Sequence, residues 1–236
     1  MTPAERDLLA AKRPTGALDV VPTVVEVRGS VTALSLRHDF LFIGGLQQSP
    51  NADAVLYFAQ EVFPSILQQL PGIRFYVIGD KAPPSVIALA SENIVITGLQ
   101  PDVRHYFESV RLSVAPLRFG AGVKGKINQS MSYGVPVVAT SLAVEGMSLT
   151  DGVDIVLADS PDEFAQAVIR LYEDANRWEK LSQNGLQTTA NAYSPQAVRK
   201  QLSRLLSDEH LSHDKSTYRI AAESVHAQGL EPGVAA

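Results

Sequence analysis

"RLSVAPLRFGAGVKGKINQSMSYGVPVVAT", Arg111–Thr140, decides the fold. An apolar run closes at Leu117, and a loop carrying Gly120, Gly122 and Gly125 follows. A short amphipathic run over Lys126–Tyr133 is stopped by Gly134 and Pro136, and a second apolar run, "GVPVVAT", comes next. Strand, turn, helix, strand is a βαβ unit, whose two strands must run parallel. The same alternation extends both ways. Upstream lie "HDFLFIGG", "GIRFYVIGD" and "NIVITG", and downstream lies "DIVLAD". "SPNADAVLYFAQEVFPSILQQL" places Ala54, Phe58, Val62, Ile66 and Leu70 on one helical face. "QPDVRHYFESV" reads as a short helix, and three more helices close the ordered region from Ser160 to Asp208. The expectation is an α/β domain over His38–Ser207: a doubly wound, parallel, six-stranded, Rossmann-like sheet with extra C-terminal helices.

Composition bounds the rest. The chain has 236 residues, 45% of them apolar and 19% charged, enough for a substantial core. A net charge of −5 argues against general nucleic-acid binding. No apolar run approaches the ~18 residues of a transmembrane helix, and the N-terminus lacks a signal-peptide core. No cysteine is present, which excludes disulfides and thiolate chemistry. A soluble, cytoplasmic chain is expected. The last stretch, residues 208–236, shows no period and reads as a disordered tail. "LDVVPTVVEV", near the start, reads as one or two short strands belonging to something upstream.

In a doubly wound sheet, ligands sit at the carboxyl ends of the strands. Gly44, Gly45, Gly79, Gly98 and Gly120–Gly125 all follow strands, so together they suggest a rim cleared for a ligand. Gly120, Gly122 and Gly125 match G-x-G-x-x-G, but a dinucleotide fingerprint belongs after the first strand and opens a long helix. Here it follows the fourth strand, and its helix spans barely two turns. Charge points elsewhere. Between Ser109 and Val144 no Asp or Glu occurs, while Arg111, Arg118, Lys124 and Lys126 do. Glycine-loop N–H groups beside cations form a phosphate site. Arg118 and Lys124 are the candidate cations for it; Arg111 is read as solvated, and Lys126 is assigned to neither role. On that reading Lys124→Ala weakens nucleoside-diphosphate binding tenfold or more.

The stretch "APLRFGAGVKGKINQSMSYGVPVVATSLAVEGM", with "FLFIGGLQQSPNADAVLYF" and "YSPQAVRKQL", resembles the C-terminal, donor-binding domain of GT-B glycosyltransferases, specifically the retaining family 4. The likeness spans about Phe40–Leu206. It implies a nucleotide-sugar donor whose diphosphate lies against Gly44, Gly45 and the Gly120, Ala121, Gly122, Val123 loop. The nucleoside would run along the rim between Gly98–Leu99 and the helix carrying Gln129. It also implies that residues 1–37 are the remnant of an N-terminal domain and linker, with the glycan or lipid-linked acceptor held by that missing domain. Peripheral membrane association of a longer protein stays open.

Departures from the family pattern bear on catalysis. Two glutamates usually flank the loop, and here Ala121 and Gln129 stand at those positions. An arginine and a lysine usually follow the first strand, where this chain has Gly45 and Pro50. Arg118 and Lys124 are expected to replace them as the catalytic cations. Glu145 either touches the donor or ends a turn. Asp151 and Asp154 read as turn residues, no D-x-D pair lies near the loops, and neither metal nor other cofactor is expected. A degenerate nucleotide-binding or interaction module is the second reading, because of Ala121 and Gln129. A nucleotide-sugar epimerase and an NAD-dependent oxidoreductase come after it.

Overall fold

The computed structural model describes residues 3–12, 20–120 and 124–207. The expected tail (208–236, including His210 and His213) and the loop residues Ala121, Gly122 and Val123 lie outside the described residues.

All six anticipated strands form: β1 (His38–Ile43), β2 (Phe75–Ile78), β3 (Ile94–Gly98), β4 (Val110–Ala115), β5 (Val137–Ala139) and β6 (Val156–Leu157). They build one sheet in the order β3-β2-β1-β4-β5-β6, with every pair parallel. The helices are α1 (Pro3–Lys12), α2 (Ser49–Tyr57), α3 (Phe63–Gln69), α4 (Pro84–Ile87), α5 (Arg104–Ser109), α6 (Gly125–Ser132), α7 (Pro161–Glu173), α8 (Ala175–Tyr193) and α9 (Pro195–Ser207). No helix among the described residues is long and apolar enough to cross a membrane.

Alternation along β1 explains the two-sided core. Phe40 and Phe42 face one side and Leu41 the other, and all three are fully buried. Phe40 pairs in register with Phe75, and around them Phe58, Phe63, Phe164 and Tyr172 form an aromatic cluster. Phe58 and Phe75 lie 4.6 Å apart between centroids. On the opposite face Leu41, Ile78 and Val135 gather around Phe107 stacked on Tyr133, centroids 4.6 Å apart. A parallel sheet with both faces covered needs such continuously apolar strands.

The predicted long helix over residues 49–70 is interrupted by a π-turn at Phe58–Val62. Pro64 supplies the reason. It has no N–H to donate to Gln60, and its ring clashes with that carbonyl, so the turn widens. The apolar face survives: Ala54, Phe58, Val62 and Ile66 are all fully buried. Helix α7 starts with a capping box, Glu163 N–H donating to Ser160 Oγ and Ser160 N–H donating to Glu163 Oε2. Ser160→Ala should lower stability by about 1 kcal/mol, measured by denaturant midpoint with unchanged slope.

One expectation is corrected. No strand forms among the described residues of "LDVVPTVVEV", whose Leu18 and Asp19 lie outside them. Val25 N–H donates to the carbonyl of Tyr193, and Arg28 and Gly29 N–H donate to Ser132. Ser132 and Tyr193 end α6 and α8, so this segment satisfies carbonyls that helix ends leave open. The Trp178 indole N–H donates to Arg111 O at 2.6 Å, tying α8 to β4.

Candidate functional site

β1 and β4 are neighbours at the point where the winding reverses, β1 leading to β2 on one side and β4 to β5 on the other. Their carboxyl ends therefore open a crevice rather than being crossed by a connection. Gly44 and Gly45 lead from β1 into α2, and the glycine loop leads from β4 into α6. Neither helix has a side-chain hydrogen bond capping its N-terminus. The two turns approach closely: a Cβ on Gly120 would sit 3.2 Å from the Pro50 ring.

Lys126, in the first turn of α6, reaches back into this crevice. Its ammonium lies 4.2 Å from the centroid of the Phe42 ring and donates to Asn51 Oδ1. A Cβ on Gly44 would meet the ammonium at 3.1 Å and Asn51 Nδ2 at 3.0 Å. Burial, with a smaller contribution from the charge of Lys124, lowers the Lys126 pKa to about 7. Among the described residues Lys126 forms no ion pair. A partly desolvated cation held on a ring face and one amide is primed for an anion. The sequence left Lys126 unassigned, and this placement puts it in the crevice. The signal was present: in "KGK" the second lysine starts the helix whose Ile127, Asn128 and Ser130 are buried, which fixes its direction.

The two cations expected to serve the site are placed differently. Arg118 NH2 lies 2.6 Å from Asp53 Oδ1, NH1 lies 3.6 Å from Glu61, and the guanidinium covers the Tyr57 ring at 4.8 Å. The hydrogen bond to Asp53 leads the causes that raise its pKa. Its charge is thus engaged by α2 and the π-turn rather than turned toward the Gly44–Gly45 turn. Lys124 stands at the residue before α6, and its ammonium donates to Gly120 O at 3.1 Å. The carboxylate-free stretch of sequence is not carboxylate-free in space.

Gly79 is a packing glycine. A Cβ there would lie 1.9 Å from Gly44 O, so the β1 and β2 turns are in contact. Gly98 and Leu99 lie at the end of edge strand β3, with Leu99 74% exposed on the rim. Gln129 is half-buried one turn beyond Lys126 on α6. Glu145 is exposed after the 3-10 turn Ser141–Val144 that follows β5. Asp151 and Asp154 act as turn residues, accepting from Leu157 N–H and Thr150 N–H respectively. Ser130 Oγ donates to Ser113 Oγ at 2.8 Å inside the core. Among the described residues, then, the crevice brings together Gly44, Gly45, Asn51, Gly120, Lys124 and Lys126, and leaves Gly98, Leu99 and Glu145 further along the rim.

Comparison with known proteins agrees with this architecture. Over 167 residues the chain is 22% identical to an uncharacterized 44.6 kDa protein in the cps region of Klebsiella pneumoniae, covering 67% of this chain and 43% of that protein. Among solved structures, a mutant of S. aureus TarM in complex with fondaparinux, alpha-GlcNAc-glycerol and UDP aligns with a TM-score of 0.74 at 12% identity. The alignment covers 88% of this chain and 43% of TarM. Sucrose-phosphate synthase from Thermosynechococcus elongatus aligns with a TM-score of 0.66 at 13% identity, covering 90% and 58%. Anabaena Alr3699/HepE, in complex with UDP and glucose, aligns at 0.57 and 16% identity, covering 88% and 53%. The chain thus spans about half the length of the proteins it matches. The family model for glycosyl transferases group 1 matches residues 37–174, more than half of the sequence, and the chain belongs to that family.

Proposed function

We propose that this chain is the donor-binding half of a retaining glycosyltransferase, which transfers a sugar from a nucleotide-sugar to a glycan, lipid-linked or small acceptor. The observation that carries the reading is Lys126: a cation without an ion pair among the described residues, set against Gly44 where the sheet reverses. A diphosphate placed between the α2 and α6 N-termini would meet backbone N–H dipoles and the Lys126 ammonium together. As the bond between the sugar's anomeric carbon and the β-phosphate oxygen breaks, negative charge grows on that oxygen. Dipoles and a partly desolvated cation stabilise it without reorganising. No catalytic metal is part of this proposal. The nucleoside would lie toward Leu99 and Gln129, Gln129 accepting from or donating to ribose hydroxyls where a glutamate is usual. That TarM and HepE are complexed with UDP supports testing UDP first.

The chain spans about half the length of the proteins it matches, and transfer is read as needing more than this chain. Titrating UDP, GDP, ADP and NAD in thermal-shift experiments tests the donor reading. One nucleoside diphosphate at a hundred times its dissociation constant should stabilise the protein by about 2.7 kcal/mol. Stabilisation by NAD alone would sink the proposal. Silence toward all four favours the second reading, a degenerate module, which Gln129 at a glutamate position supports.

A further inference from the structure

Asn51 stands in the first turn of α2 and touches both walls of the crevice. Its Nδ2 donates to Gly45 O at 2.8 Å, and its Oδ1 accepts from the Lys126 ammonium. Those two bonds use the amide's opposite ends, so Asn51 couples the β1 turn to the cation of α6. We infer that Asn51 is a positioning residue of the diphosphate site, holding the Lys126 ammonium over Phe42 and against the Gly44–Gly45 turn. The inference rests on the donor reading above.

The chemistry explains why an amide suits this place. An aspartate could accept from Lys126, but it could not donate to Gly45 O and would set its own charge against that carbonyl. It would also neutralise the cation and repel an incoming phosphate. Serine or alanine would leave Lys126 its four-carbon stem and no fixed position. Around the ammonium, the charged groups on the neighbouring elements are few. Lys124 acts on it from the start of α6. Asp80, after β2, would lie 3.5 Å from a Cβ on Gly45. Asp53 of α2 is engaged by Arg118, and β1 contributes the uncharged Phe42 ring. Asn51 is thus the neutral group among them that accepts from Lys126, and its replacement by a carboxylate has a predictable sign: the lysine titrates at higher pH.

The test uses the full chain with UDP as probe, together with Asn51→Asp, Asn51→Ser and Lys126→Ala. In the empty protein, the Lys126 side-chain carbon resonance next to the amine reports its titration. Asn51→Asp should move that midpoint up by at least one pH unit, and UDP affinity should fall tenfold or more. Asn51→Ser should weaken UDP about tenfold while the melting temperature changes little. Combining Asn51→Ser with Lys126→Ala should add almost nothing to Lys126→Ala alone. Wild-type UDP binding with an unaltered constant in Asn51→Ser, additive losses, or an unmoved midpoint in Asn51→Asp would each overturn the positioning role. Failure of the wild-type protein to bind any nucleoside diphosphate would instead overturn the donor reading on which that role rests.

Discussion

Lys126→Met lowers the affinity for a nucleoside diphosphate at least a hundredfold and raises the stability of the empty protein. The loss corresponds to about 2.7 kcal/mol, within the range for one charge-assisted contact to phosphate in a partly desolvated site. The gain follows from the same burial. Met has a similar stem, packs on Phe42 and has no charge to desolvate, and replacing a buried charge in this way stabilises by about 1–3 kcal/mol. The sign with pH is determined. In the unfolded chain Lys126 holds its proton up to 10.5, and in the native crevice only to about 7. Between those values the unfolded state binds more protons, so this group makes stability rise with pH. Below pH 7 the ammonium is charged in both states and its burial penalty is present in full. The advantage of Met is therefore largest at pH 6 and fades as pH climbs through the window, which melting curves at pH 6 and pH 9 would read.

Affinity runs the opposite way. The diphosphate needs the ammonium form, so above pH 7 binding must take up a proton, and wild-type affinity falls toward tenfold per pH unit until the complex itself deprotonates. The terminal phosphate ionises near pH 6, so it contributes little to the slope above 7. Calorimetry in two buffers of different ionisation enthalpy should give proton uptake near one at pH 8.5, absent in Lys126→Met. A flat profile, or equal stability of both proteins at pH 6, would show that Lys126 is solvated after all.

Gly79→Ala is the second large effect. A methyl group there would stand 1.9 Å from Gly44 O and 3.0 Å from Gly44 C, both backbone atoms. Nothing flexible can yield. Gly44 N–H is bonded to Ile78 O at 2.9 Å, and Gly79 N–H to Gly98 O at 3.1 Å, so both turns are tethered. To restore a tolerable 3.0 Å the turns must part by about 1.1 Å, the difference between 3.0 and 1.9. Overpacking against fixed backbone costs about 3 kcal/mol, a fall of roughly 6–12 °C in melting temperature at this chain length. Gly44 also walls Lys126, so UDP affinity should fall about tenfold in whatever fraction folds. Gly125→Ala is the control: a Cβ there meets nothing within 4 Å, and the change should stay within about 1 kcal/mol. Equal melting temperatures for the two variants would refute the contact.

The π-turn at Phe58–Val62 shows where local signals ran short. Periodicity placed Phe58 and Val62 correctly on the buried face, because burial depends on side-chain spacing, yet the widened turn depends on a proline clashing four residues back. The N-terminal valines show the reverse error. Their composition suits a strand, but a strand needs a ladder partner, and the donors of this segment go to the ends of α6 and α8 instead.

By itself the sequence determined six short apolar strands with helices between them, and a glycine at nearly every turn on one rim. Those features are local: strand length, helical spacing and turn chemistry are written in neighbouring residues. Only the tertiary structure decided which cation faces the crevice. Arg118 stands in a stretch free of acids, yet its partner Asp53 arrives from 65 residues away. Lys126, which the sequence assigned to no role, is folded over Phe42 and bonded to Asn51, 75 residues distant. Charge acts through space and solvent, and what a cation meets depends on the packing of elements that are distant along the chain.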